Sequence, residues 1–240
     1  MKSPLSLRAM TAVAAVLGYS LILPDAGNAQ GAALGQGNSG NYELLTPQGA
    51  GPFPAVIVMH PCNGVNDNTR RWAGRLVGWG YAALIVDSFR SRGLGNVCGN
   101  GGALPASVRA HDAIEAKDYL RGLPNIAKGR IGLIGFSHGA NAALAASAAF
   151  SAVVAFYPLC TGSRPSNALI LIGSADDWTP ASRCLGGAGT NLKVYPGATH
   201  AFDAPRAERT YLGHRLAYDA AATADAIDRT QRFLSSRLGR

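Results

Sequence analysis

The sequence predicts an α/β fold, with a mostly parallel central sheet flanked by helices on both faces. Three observations carry this. Short apolar runs alternate with stretches of helical periodicity through most of the 240 residues, and no internal repeat interrupts them. The runs at 54–60, 81–87, 152–156 and 168–173 are apolar almost throughout rather than alternating, the pattern of strands buried on both faces. Finally, the run at 130–134 passes through Gly135-Phe136-Ser137-His138-Gly139 directly into the Ala-rich stretch 140–146. A strand that turns at once into a helix strains its middle residue and leaves no room for bulk on either flank, hence the two glycines.

The front end stands apart from this pattern. Lys2 and Arg8 precede an apolar run over 9–23, and Gly27-Asn28-Ala29 puts small residues at the two positions a signal peptidase reads. The expectation is a secretory signal peptide over 1–29. Pro24, Asp25 and the shortness of the run argue against an uncleaved membrane anchor. Residues 30–40 are Gly-rich and read as a flexible leader. Residues 41–240 then form one domain, secreted or periplasmic, and a hydrophobic content of 48% suffices for a sizeable core.

The elements follow in order. Tyr42-Glu43-Leu44-Leu45-Thr46 alternates weakly, as an edge strand does. After the buried strand 54–60, Pro61-Cys62-Asn63-Gly64 breaks the pattern. A helix is expected from Asn68 or Thr69 to Gly78, with Trp72, Leu76 and Trp79 on one side and Gly80 as its stop. The strand 81–87 leads into 88–103, a loop rich in Gly, Arg and Asn. Residues 105–123 read as a helix, with Val108, Ala113, Ala116 and Leu120 at helical spacing. Beyond the serine turn come strands at 152–156, 168–173 and 192–195. Residues 210–238 read as one long helical stretch carrying Leu216, Ala220, Ala224, Ile227 and Phe233-Leu234 on one face.

A serine hydroxyl is a poor nucleophile without a base, an orienter for that base and donors for an oxyanion. Each is available just beyond a strand. Ser137 stands at the tight turn. Asp176 follows 168–173 and is the candidate acid, with Asp177 read as the cap of a helix after Thr179-Pro180. His200 follows 192–195 and is the candidate base, so that the order is Ser, Asp, His. Of the other histidines, His60 reads as structural, His111 and His214 as helical, and His138 as acting through its backbone N–H. That N–H is one oxyanion donor. Pro61 has none to offer, so Cys62 is the candidate for the second. Arg90, Arg92, Trp178 and Phe202 are candidate substrate contacts near the mouth. A solvated loop face is the alternative for the arginines, and packing of the Asp176 loop for Trp178.

The four cysteines, Cys62, Cys98, Cys160 and Cys184, are an even set in an exported chain, which suggests two disulfides with three possible connectivities. No C-x-x-C pair or histidine cluster offers a zinc site, and no metal or organic cofactor is implied. Removal of residues 1–29 would lower the formal charge from +8 to +7, and the dispersed arginines form no long basic run. This is a solvated basic surface, not a nucleic-acid footprint.

Five stretches together resemble the dienelactone hydrolase family of α/β-hydrolases. They are His60-Pro61-Cys62-Asn63-Gly64, Asp87-Ser88-Phe89-Arg90-Ser91-Arg92-Gly93, the serine turn, Gly173-Ser174-Ala175-Asp176-Asp177-Trp178-Thr179-Pro180 and Tyr195-Pro196-Gly197-Ala198-Thr199-His200-Ala201-Phe202. The resemblance covers residues 40–238. It implies Ser137 as nucleophile, Asp176 as acid and His200 as base, on the α/β-hydrolase fold. It also implies the pairings Cys62–Cys98 and Cys160–Cys184. The chain departs from the name-giving enzymes in carrying serine where they use cysteine, and in reading His-Pro-Cys-Asn-Gly where similar loops read His-Gly-Cys-Gly-Gly.

The expected function is hydrolysis of small-molecule carboxylic esters, with thioesters also considered, through an acyl-enzyme. A peptidase or acyltransferase on the same framework is the alternative, and a non-catalytic binding protein a further one. No nucleic-acid partner and no membrane span after signal cleavage are expected.

Overall fold

The computed structural model describes Met1 and residues 41–161, 165–185 and 191–239. The expected signal peptide and leader, Met1 apart, lie outside these residues. The main sheet has seven strands: β1 (Tyr42–Leu45), β2 (Phe53–Met59), β3 (Ala82–Val86), β4 (Ile126–Phe136), β5 (Val153–Phe156), β6 (Ala168–Gly173) and β7 (Asn191–Tyr195). Their order is β1-β3-β2-β4-β5-β6-β7. All neighbours are parallel except β1, which runs antiparallel to β3 at the edge. This is the mostly parallel sheet of the α/β-hydrolase fold.

Among the described residues four α-helices cover it: α1 (Asp67–Gly78), α2 (Ala106–Arg121), α3 (His138–Ala145) and α4 (Ala220–Leu238). Two glycines of β4 show that they lie on both faces. A Cβ on Gly132 would meet Leu234 and Leu238 of α4, whereas one on Gly135 would meet Gly139 and Ala140 of α3. Positions 132 and 135 differ in parity and so point to opposite sides of a strand. The α2 and α3 helices pack together, while α1 and α4 border a common cleft at Trp79 and Arg232. Residues of β2 and β3 are buried throughout or nearly so, as their unbroken apolar runs require.

Helix α1 starts one residue before the expected range, because Asn66 caps it by accepting from the Thr69 N–H at 3.0 Å. Gly80 ends it in the left-handed region, at φ +81°. Two expectations need correction. Of the four residues read at helical spacing in α2, Val108 is exposed, while Ala113, Ala116 and Leu120 are buried. The expected helix over 210–238 is a hairpin of β8 (Arg209–Tyr211) and β9 (His214–Leu216) followed by α4. His214 therefore lies on a strand, not a helix. Its turn places both Leu212 and Gly213 at positive φ, 51° and 84°, the pairing a two-residue hairpin needs.

The winding direction reverses between β2 and β4, so the loops leaving these adjacent strands diverge and open a crevice at their carboxyl ends. Met59 is in register with Gly135, which sets the loop after β2 beside Ser137.

Candidate active site

Between β4 and α3 a single residue makes the turn. Ser137 adopts φ 51° and ψ −115°, a conformation that side chains rarely tolerate. The flanking glycines permit it. A Cβ at Gly135 would stand 2.2 Å from the Gly139 carbonyl oxygen, and one at Gly139 would stand 2.4 Å from the carbonyl oxygens of Met59 and His60. The first glycine lets the turn close on itself, and the second lets α3 settle onto the end of β2.

Asp176 and His200 come together because the end of β6 touches the loop after β7. A Cβ on Gly173 would be 2.0 Å from the Ala198 carbonyl oxygen, so only glycine allows the crossing. His200 Nε2 lies 2.9 Å from Ser137 Oγ, and His200 Nδ1 lies 2.8 Å from Asp176 Oδ2. The Nδ1–H donates to the carboxylate, which leaves the Nε2 lone pair facing the serine hydroxyl. All three side chains are buried. Asp176 Oδ1 accepts from the N–H groups of Trp178 and Thr179, at 3.0 and 2.8 Å. Orienting an imidazole and capping a turn therefore fall on one carboxylate, whose Oδ2 also accepts from the Thr179 hydroxyl at 2.8 Å. Asp177 caps nothing. Its Oδ1 sits 3.3 Å from His214 Nδ1, and the short 3₁₀ turn that follows, Ala181–Cys184, has no side-chain cap.

On the other side of Ser137 lies the loop 61–64. Cys62 lines the pocket and is bonded to Cys98, while the Val97 N–H donates to the Cys62 carbonyl at 2.8 Å. The loop is thereby tied to the segment 88–103. As first residue of α3, His138 has no intrahelical carbonyl to receive its N–H. Cys160–Cys184 joins the chain after β5 to the turn after Asp176. Both bridges are those implied by the family resemblance.

Ser137 and His200 line a pocket of about 750 Å³, counted to its open mouth. Of the expected substrate contacts the structure brings only Trp178 there. Its ring lies 5.1 Å from that of His200 and stacks on His214 at 4.6 Å. Phe202 is fully buried among Phe156, Tyr157 and Tyr195, a core residue rather than a pocket wall. Arg92 is held by Asp112 at 2.7 and 2.9 Å, and neither it nor Arg90 lines the pocket. Among the described residues the arginines that do are Arg206, just before the hairpin, and Arg209 on it, whose guanidinium carbon lies 5.4 Å from the centre of the Tyr211 ring. Sequence reading missed them with the hairpin itself. The available signal was Leu212-Gly213 between residues of alternating polarity, masked by leucine in a position that favours asparagine.

Sequence reading also missed Tyr157, Asn68, Trp72 and Asp203. Asp203 is buried three residues beyond His200. Its Oδ2 accepts from Asn68 Nδ2 at 2.8 Å and Trp72 Nε1 at 2.7 Å, and its Oδ1 from the Tyr157 hydroxyl at 2.8 Å. Burial and this carboxylate hold the Tyr157 phenol protonated, well above its usual range. Among the described residues no helix is long and apolar enough to cross a membrane.

Comparison with known proteins finds the Dienelactone hydrolase family profile matching residues 42–238. No curated protein matches. Among solved structures, a candidate dienelactone hydrolase from Klebsiella pneumoniae is 22% identical, with a TM-score of 0.66 over 81% of this chain and 92% of that one. A dienelactone hydrolase-like promiscuous phosphotriesterase from metagenomic libraries is 23% identical, with a TM-score of 0.61 over 82% and 92%. An α/β-hydrolase from a Medee basin deep-sea metagenome is 15% identical, with a TM-score of 0.61 over 88% and 98%. At these identities the solved structures speak for the shared fold.

Proposed function

The chain belongs to the dienelactone hydrolase family, and from that premise we propose that it is a serine hydrolase of carboxylic esters. The observation that carries the reading is the chain Ser137 Oγ–His200 Nε2 and His200 Nδ1–Asp176 Oδ2, at 2.9 and 2.8 Å, at the base of an open pocket.

In the proposed reaction His200 Nε2 takes the proton from Ser137 Oγ as the oxygen attacks the acyl carbon. Negative charge moves onto the former carbonyl oxygen, which the N–H groups of His138 and Cys62 receive. The intermediate collapses when the imidazolium returns its proton to the leaving alkoxide. Water then repeats the sequence on the acyl-enzyme, and the acid and free serine are released. Asp176 holds the tautomer and stabilises the charged imidazole. We place the mature domain, residues 41–240, outside the reducing cytoplasm after removal of residues 1–29, a reading supported by the two disulfides.

The test is hydrolysis of p-nitrophenyl esters from acetate to decanoate by the disulfide-intact protein, beside Ser137→Ala. The expected loss of kcat in the variant is on the order of 10⁴-fold or more, and the chain-length profile sizes the acyl pocket. A Ser137→Ala rate equal to wild type would sink the assignment. Inertness toward every ester would shift it to a peptidase or to a binding protein.

A further inference from the structure

Behind the loop 61–64 lies a buried cation to which the reaction above assigns no role. Arg109, in the first turn of α2, has no solvent exposure. Its Nη1 donates to His138 Nδ1 at 2.9 Å and its Nη2 to the His60 carbonyl at 2.7 Å. Its guanidinium carbon lies 5.2 Å from the centre of the Phe89 ring, and its Nε–H has no partner. Among the described residues no carboxylate pairs with it, since the nearby Asp112 is engaged by both arms of Arg92.

The ring partners are fixed as neutral acceptors or spectators. His60 Nε2 accepts from the Ser88 N–H at 3.2 Å, so its proton sits on Nδ1, 2.7 Å from the Pro61 carbonyl, and the 3.3 Å approach of Arg109 Nη2 to that Nδ1 is a contact between donors rather than a hydrogen bond. His138 must present an unprotonated Nδ1 to Arg109. Burial, then the adjacent guanidinium, lowers His60 to about 3 and His138 to about 4. Burial also lowers Arg109 itself, to about 9.

Placing a guanidinium among neutral groups is unfavourable, and an apolar side chain of similar volume would pack there without that cost. What the cation supplies is a rigid planar fork between two points. One arm holds the carbonyl of His60, two residues before the Cys62 amide. The other holds the ring of His138, whose own amide is the partner donor. Oxyanion donors work by being in place before charge develops, and a small error in their spacing is expensive.

We propose that Arg109 is a positioning residue of the oxyanion hole, its guanidinium locking His60 and His138 into one frame and so setting the spacing of the Cys62 and His138 amides. The inference rests on the serine-hydrolase reading above. It makes Arg109 matter when charge is on the oxygen and not when substrate merely binds.

The experiment compares kcat and KM for p-nitrophenyl acetate in wild type, Arg109→Ala, Arg109→Lys, His138→Ala and Ser137→Ala. Arg109→Ala is expected to lose about 10²-fold in kcat with KM within threefold, as loss of one oxyanion donor does. Millimolar guanidinium should restore at least tenfold of this by refilling the vacated site. Arg109→Lys, which keeps charge but has no second arm, should stay low, and so should His138→Ala, which keeps the amide but removes the anchor. Should Arg109→Ala fail to fold, Arg109→Lys decides. A folded Lys variant with kcat within threefold of wild type overturns the proposal, as does a loss confined to KM. Ser137→Ala separates the two readings. Activity retained there overturns the serine mechanism, whereas activity lost there but intact in the Arg109 variants overturns only the role of Arg109.

Discussion

Two buried charges stand on either side of Ser137, and each is hydrogen-bonded to neutral groups alone. Arg109 lies behind the loop carrying Cys62 and behind His138, with one of its donors unpaired. Asp203 lies behind His200, because the Tyr157 ring packs 4.7 Å from that of His200 and its hydroxyl donates to Asp203. In the proposed reaction negative charge develops on the Arg109 side and positive charge on His200. A fixed charge of opposite sign thus stands behind each, in a setting where little water screens it. The two differ in how completely they are satisfied. Three donors fill the oxygens of Asp203, while Arg109 spends its bonds on one carbonyl and one imidazole. The lesson is a division of labour, with the anion mainly fastening α1, β5 and the His200 loop together and the cation mainly setting geometry.

The largest test of that division is Asp203→Ala. It would orphan the buried donors of Asn68, Trp72 and Tyr157, at about 1–3 kcal/mol for each group left bare. A stability loss of about 3–5 kcal/mol in urea unfolding is expected. A loss below about 1 kcal/mol would show that the three bonds do not hold the loop. Tyr157→Phe is the milder form. It removes one donor and leaves Asp203 Oδ1 bare, for an expected cost of about 2 kcal/mol. The ring that packs on His200 remains, so kcat should fall by less than about tenfold. A larger fall with little change in stability would move the anion into the chemistry and erase the contrast with Arg109.

Much of this was legible in the sequence, and what was not depends on tertiary packing or on chance spacing. The buried parallel strands announce themselves because each must be apolar on both faces, and the serine turn because its glycines answer to close backbone approaches. Asp176 and His200 follow since they sit directly past such strands. Arg109 and Asp203 leave no local mark. An arginine early in an amphipathic helix reads as solvated, and an aspartate after a loop reads as a turn. Only the tertiary packing shows that both are buried. Phe202 was misread for the converse reason, as proximity to His200 in sequence says nothing about which way an alternate residue points. The hairpin was lost to α4, whose apolar spacing extends by chance into Leu216.

The cation side makes a pH prediction. His60 is held neutral in the fold, down to about 3, by burial and then by Arg109, whereas an unfolded chain would titrate it near its ordinary value of 6.5. Above about pH 6.5 it is neutral in both states and costs nothing. As the pH falls below that, the unfolded chain takes up a proton that the folded one refuses, so stability is lost by about 1.4 kcal/mol per pH unit from this group. Urea midpoints at pH 7, 5.5 and 4.5 should fall more steeply in wild type than in His60→Gln, by about one proton's worth. Equal slopes would mean that the surroundings of Arg109 are wetter than its burial implies.

The smallest expected effect is the sharpest on the comparison. Asp112 is the carboxylate whose field most opposes the lowering of Arg109, yet both of its oxygens are bonded to Arg92. Asp112→Asn removes that charge with almost no change in shape. Arg92, a third of whose side chain reaches solvent, should lose about 1 kcal/mol of pairing or less, since water compensates what the carboxylate supplied. The fork from Arg109 to His60 and His138 does not involve Asp112, so kcat should stay within threefold. If kcat instead fell as far as in Arg109→Ala, Asp112 would be acting as the counter-ion of Arg109 at a distance. The cation would then be one member of an extended ion pair, and only Asp203 would stand as a charge held by neutral groups.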